Sequence, residues 1–353
     1  MQLLFRMPEP GKRYQFMKPK KNLSLPFKVA VLALFAAVFT LLSFHEQAIG
    51  TFERLDPSVN SVLGPNPGIE EIASGYAWTE GTLWVEKEKM LLFSDIPNNR
   101  VMKWTKEKGA EVYLSPAGYT GTAPRGGESG SNGLLLNNKG QLVLCQHGDR
   151  RIALMDAPLD KPQPKFITLA DSHNGKKFDS PNDAVFHKNG DLYFTDPPYG
   201  LEKNVRDPLK EAPYQGVYRL AADGGLSLLI DTISRPNGIA LTPDQKSLII
   251  ANSDFAKPYW YIYDVNTDGS LSNGRIFQVA RSGSRGGGGD GLKIDRNGNV
   301  FATGPGGIWI MNKTGKVIGK IKLDRRVSNC SFADNEKTLY VSADKTVLRI
   351  KLR

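Results

Sequence analysis

The sequence predicts an all-β fold, a six-bladed β-propeller of four-stranded antiparallel blades, and three observations predict it. The first is a pattern that recurs along the chain. A polar residue opens it, alternating apolar positions follow, a turn of about six residues intervenes, and a second alternating run begins about ten residues after the opener. It is plainest from Asn182 (NDAVFHKNGDLYFTD) and recurs from Asn132, Asn237 and Asp290, with weaker copies from Glu80 and Asn329. The second is spacing: the six openers lie 52, 50, 55, 53 and 39 residues apart, a period that marks an array of supersecondary units. Each unit has room for strand, turn, strand and two further short strands, which is the blade of a propeller. The third is closure. After Asn329 only three strand candidates remain, ending with Thr346 to Leu352, and residues Ile69 to Ser74 ahead of the first opener supply the missing fourth. That N-terminal strand closes the ring and leaves no long unpaired edge.

Taken in order, the chain of 353 residues begins with a basic leader, residues 1–50. Seven Lys or Arg against Glu9 and Glu46 place half of the net charge of +10 there. The other half is spread over the remaining residues with no basic helix or RNA-binding aromatic motif, so the charge does not read as nucleic-acid binding. The apolar run Val29 to Phe44, extended by Leu25, Pro26, Phe27 and a snorkelling Lys28, approaches the length a bilayer needs. It is expected to be an N-terminal hydrophobic anchor helix, with a cleaved secretory signal as the alternative. Because the basic flank stays cytoplasmic, the propeller is expected in the cell envelope outside the cytoplasm, or secreted or periplasmic if the leader is cleaved.

Residues 51–68, with Pro57, Pro65 and Pro67, read as a linker, and residues 69–353 as the propeller domain. Cys145 falls in the second strand of repeat two and Cys330 follows the opener of repeat six. Blades two and six are not neighbours in a six-bladed ring, so both are expected as free, buried thiols.

The inner strands of a propeller all run the same way along the axis, so the six openers should form a ring at one mouth. Glu80, Asn132, Asn182, Asn237, Asp290 and Asn329 offer hard oxygen donors only, which suits Ca2+ or Mg2+, and Ca2+ better tolerates a cage built from separate strands. Asn-Gly and Asp-Gly are also ordinary turn dipeptides. Their fixed phase before every inner strand favours the ring.

Further strings carry a family resemblance. Asp179-Ser180-Pro181-Asn182-Asp183, Tyr193 to Gly200 (YFTDPPYG), Gly216 to Leu220 (GVYRL), Arg235 to Ile239 (RPNGI), Asp290 to Asp295 (DGLKID) and Gly304 to Trp309 together resemble the bacterial gluconolactonase branch of the senescence-marker-protein/gluconolactonase/luciferin-regenerating family. The resemblance covers roughly residues 70 to 352. It implies metal ligands at Glu80, Asn182, Asn237 and Asp290, and it leaves Asn132 and Asn329 outside the metal shell, with Asn132 toward substrate. It implies a bound Ca2+, with Mg2+, Mn2+ or Zn2+ as substitutes, and a small lactone as substrate. Two departures stand out: Gly286 to Gly289 precede Asp290 where the family has Pro, and Ser180 stands where animal members have a substrate-binding Arg.

In this reading the cation polarises a lactone carbonyl while Asp290 acts as general base or nucleophile, water attack assisted by Asp290 being favoured. The loops Ser115 to Ser131 and Leu201 to Gln215 are long enough to be functional rims. They nominate Tyr119, Arg125 and Arg206, with Tyr199 at the adjoining turn and His147 after an inner blade strand, as substrate contacts. No Gly-x-Ser-x-Gly elbow or phosphate loop is present. A phosphotriesterase-like hydrolase on the same ion and a non-catalytic ligand-binding propeller are the alternatives.

Overall fold

A computed structural model describes residues 49–280 and 289–353. The described chain forms one compact unit, Ile49–Arg353, and its strands make six antiparallel sheets of propeller type with a small hairpin beside them. Inner strands Thr79–Val85, Ser131–Leu136, Ala184–Phe186, Pro236–Leu241, Leu292–Ile294 and Val327–Ala333 begin blades one to six. Each is followed outward by three more strands, with a fourth in blade five, and in blade six the outermost is Ile69–Ser74, antiparallel to Thr346–Lys351. The expected closure is therefore present: residues from both ends of the domain share one sheet. The expected anchor helix lies outside the described residues.

The core is divided by seam. Among the described residues, six buried apolar clusters each join two neighbouring blades, as when Leu92 and Val101 of blade one meet Leu134 and Leu144 of blade two. Each blade is covered on both faces by its neighbours, so the second strands are buried along nearly their whole length and apolar except toward their ends. Cys145 and Cys330 are free and fully buried in two of these clusters, as expected.

The expectation of a linker at 51–68 is corrected. Gly50–Arg54 pairs with Val317–Leu323 as a fifth strand of blade five. The 3-10 turn Pro57–Ser61, capped by the Asp56 carboxylate accepting from Ser58 N, then carries Val59 into the seam between blades five and six. Val62 and Leu63 follow it there. Proline and glycine content signalled irregular backbone, which it is; three apolar side chains nonetheless give that backbone something to pack on.

Candidate metal and substrate site

The six openers occupy equivalent places at one mouth. In blades one, two and four the ladder bulges at or just beyond the opener, between Glu80 and Leu83, Ser131 and Leu134, and Pro236 and Ile239. Blade six bulges just before Asn329. A bulge bends the strand and re-aims a side chain, here toward the axis. The glycine after four of the openers has a packing reason. A Cβ on Gly81, which sits at φ 57°, would lie 2.0 Å from the Asn132 carbonyl oxygen, and one on Gly238 would lie 2.3 Å from that of Asp290. At Gly81 and Gly238 the neighbouring inner strand approaches too closely for a side chain, so these dipeptides are seams of the ring rather than turns.

Second-strand residues hold the openers in place. Ser94 Oγ donates to the Asn132 carbonyl at 2.9 Å and Thr195 Oγ1 to that of Asn237 at 2.7 Å. Asp95, Asp196 and Asn252, each ending a second strand, accept hydrogen bonds from backbone N–H groups of the loops that lead into the next stretch, at Ala77, Asp179, Ser180 and Arg235. These buried acceptors fix loops that would otherwise carry unsatisfied donors.

Glu80, Asn132, Asn182, Asn237 and Asp290 line a single cavity of about 560 Å³, together with Glu128, Trp78, Tyr199, Ser253 and Phe255. Asn329 is buried but lies deeper, its Oδ1 accepting from Lys293 Nζ at 3.4 Å. Glu80 is 3% exposed, and its carboxylate accepts from Gly81 N at 3.2 Å. Burial, then the charge of Asp290, pushes the Glu80 carboxyl well above its ordinary range. Burial, then Glu128, does the same to Asp290, against a hydrogen bond from the Asn237 carboxamide. A buried Glu80 carboxylate raised by Asp290, and a half-buried Asp290 carboxylate raised by Glu128, ringed by carboxamides, fit a divalent cation bound through oxygen. Among the described residues no three His, Cys, Asp or Glu side chains form a metal cluster by themselves. The carboxamide oxygens of Asn182 and Asn237 would therefore have to complete the set.

The candidate substrate contacts separate. Tyr199 lines the cavity, its hydroxyl hydrogen-bonded to Ser253 Oγ and its ring under Arg235. Tyr119 instead stacks against Arg125, and Arg125 donates to the carbonyls of Gly148, at 2.6 Å, and Gly200. Both hold loops and neither lines the cavity. Arg206 is exposed on the short 3-10 turn Asn204–Arg206, also away from it. His147 has no exposed surface and reaches the cavity only through Glu128, whose Oε2 lies 3.1 Å from Nδ1. His147, expected as a substrate contact, is fully buried and does not itself line the cavity.

Two acids escaped the sequence reading. Glu128 arrives on the loop before Asn132 rather than on an inner strand. Asp183 stands directly after its opener, where blades one, two, four and five have glycine, and its buried side chain turns inward to within 3.7 Å of Lys293 Nζ. The break in the opener-glycine rule was the available signal for it.

Comparison with known proteins agrees with this geometry. The family model for the SMP-30/Gluconolactonase/LRE-like region matches residues 78–345. A gluconolactonase of Zymomonas mobilis subsp. mobilis is 38% identical over 319 residues, 88% of each chain. The structure of a gluconolactonase from Xanthomonas campestris, 26% identical, superposes with a TM-score of 0.74 over 87% of this chain and 97% of that one. A calcium-binding regucalcin from Agrobacterium tumefaciens, 14% identical, shares the fold with a TM-score of 0.62 over 86% of this chain and 95% of that one. Six blades, an acid-and-amide mouth and a match across most of the described chain lead to one conclusion: the protein is a member of the SMP-30/gluconolactonase/LRE-like family.

Proposed function

We propose that the protein is a gluconolactonase-like lactonase, hydrolysing a small sugar-acid lactone in the cavity bounded by Glu80 and Asp290. The observation that carries the reading is the pair of carboxylates and the two carboxamides converging at the mouth of a ring whose Zymomonas mobilis relative is named a gluconolactonase. Glu80, Asn182, Asn237 and Asp290 would hold Ca2+, or Mg2+, Mn2+ or Zn2+ in its place. When bound, such a cation supplies a Lewis acid that polarises the lactone carbonyl.

The chain's own groups do the rest. Asn237 donates to Asp290 and keeps that carboxylate turned into the cavity. Asp290 takes the proton of the attacking water, and position contributes more than basicity to its effect, because a cation at its oxygens lowers proton affinity. Trp78, Phe255, Pro305 and Leu323 give the cavity an apolar side that limits water access. The leader would tether this domain outside the cytoplasm.

Turnover of glucono-δ-lactone by the purified protein, with and without chelator, tests the reading. Activity lost on chelation and restored by Ca2+ supports it. Chelator-insensitive hydrolysis removes the ion from the mechanism, and faster turnover of an organophosphate triester would replace the substrate class.

A further inference from the structure

We propose that Glu128 recognises the hydroxyl groups of a polyhydroxylated lactone, and that the buried His147 is its positioning residue. The inference rests on the lactonase reading and deepens it by naming what selects the substrate. Glu128 lines the same cavity as Glu80 and Asp290, with its side chain 34% exposed. It belongs to none of the six inner strands. Two carboxylates already balance a divalent ion, and a third acidic group brought in from a loop leaves an excess charge facing the cavity.

An ionised carboxylate only accepts hydrogen bonds, so its natural partners are donors. Sugar hydroxyls are such donors. The apolar side formed by Trp78, Phe255 and Pro305 complements the C–H face of a ring. A neutral, hydroxylated lactone satisfies both, whereas an anionic one meets repulsion from three carboxylates.

Placement of Glu128 is built in. On one side of it Arg125 donates to the Gly148 and Gly200 carbonyls and Gly126 N donates to Glu202 Oε1 at 2.9 Å. On the other, Gly130 N donates to the Ile96 carbonyl at 2.9 Å and its own carbonyl accepts from His147 N at 3.1 Å. The His147 ring is fully buried, and among the described residues neither of its nitrogens has a well-aligned hydrogen-bond partner. Glu128 Oε2, 3.1 Å from Nδ1, is a polar atom within its reach. Buried polar groups are rarely left alone. The pairing that completes when substrate holds the other carboxylate oxygen gives this histidine its purpose.

The experiment compares glucono-δ-lactone with δ-valerolactone, the same ring without hydroxyls. In Glu128→Ala, and to a lesser degree in the isosteric Glu128→Gln, kcat/KM for gluconolactone should fall about 10- to 100-fold, mainly through KM, while that for valerolactone changes by less than about threefold. His147→Leu should shift the same ratio in the same direction by a smaller factor, His147→Gln should recover part of it, and neither should add to Glu128→Ala. Equal losses on both lactones, or an unchanged ratio, would overturn the proposal, as would weakened metal affinity in Glu128→Gln, which would make the residue a ligand. Binding of both lactones to Asp290→Asn protein reads hydroxyl recognition without turnover. A failure of the lactonase reading is thereby separated from a failure of this one.

Discussion

Two layers of the same tunnel neutralise buried acids in opposite ways. At the mouth, Asp290 raises the proton affinity of Glu80, Glu128 raises that of Asp290, and the three share one cavity. One layer down, Asp183 is buried as deeply as Glu80, and Lys293 Nζ, 3.7 Å away, offsets part of the upward push of burial on its pKa. The lower layer carries its own cation as a side chain. In the upper layer the proposed cation would take that place, and this difference would separate a site from a strut.

The sharpest way to break the comparison is to delete one acid of the upper layer. Glu80→Ala or Asp290→Ala should lower lactone turnover by at least about 10³-fold while the circular dichroism of the sheet is retained, since losing a cation clamp removes several kcal/mol of transition-state stabilisation. Deleting the counter-charge below should do the reverse. Lys293→Met should cost stability, about 2–3 kcal/mol in a denaturant titration, less than for a fully buried pair because Lys293 is 32% exposed. Adding Asp183→Asn should recover much of that loss.

Titration sharpens the contrast further. The carboxyls of Glu80 and Asp290 are held above their ordinary values of 4.5 and 3.8 in the folded chain. Such groups contribute stability that is complete below the unfolded pKa and is lost as pH rises toward the folded pKa. Metal-free protein should therefore gain stability, relative to metal-saturated protein, as pH is lowered from 7 to 5. Melting curves in chelator and in Ca2+ provide the measurement, and parallel pH profiles would deny the upper layer its cation. The smallest effect concerns what holds the layer in place. Thr195→Val removes the donor to the Asn237 carbonyl and should cost about 1 kcal/mol of stability with only a modest fall in kcat/KM.

The repeat made the ring and the upper layer legible, because a propeller has to place chemically equivalent positions at equal phase. Phase alone nominates six openers, and five of them, Glu80, Asn132, Asn182, Asn237 and Asp290, line one cavity while Asn329 does not. Phase finds nothing off the repeat, which is why Glu128, delivered by a loop, was passed over. Asp183 sits on the repeat but replaces its glycine, so a template search counts it as noise. Tyr119 and Arg125 were credited to the cavity from loop length, and their side chains instead fasten the loop. The prolines of 51–68 signal a linker, and its strand has no partner within its own stretch of sequence to signal otherwise. The partner, Val317–Leu323, lies at the far end of the polypeptide.

That early strand also governs how the ring bears load. Traction entering at residue 49 first meets the ladder on the outer edge of blade five, then the apolar plug of Val59, Val62 and Leu63, and only afterwards the strand Ile69–Ser74 that fastens first blade to last. Two fasteners in series shield the latch. A pull that strips Gly50–Arg54 spends its work at the rim, and the catalytic mouth keeps its shape.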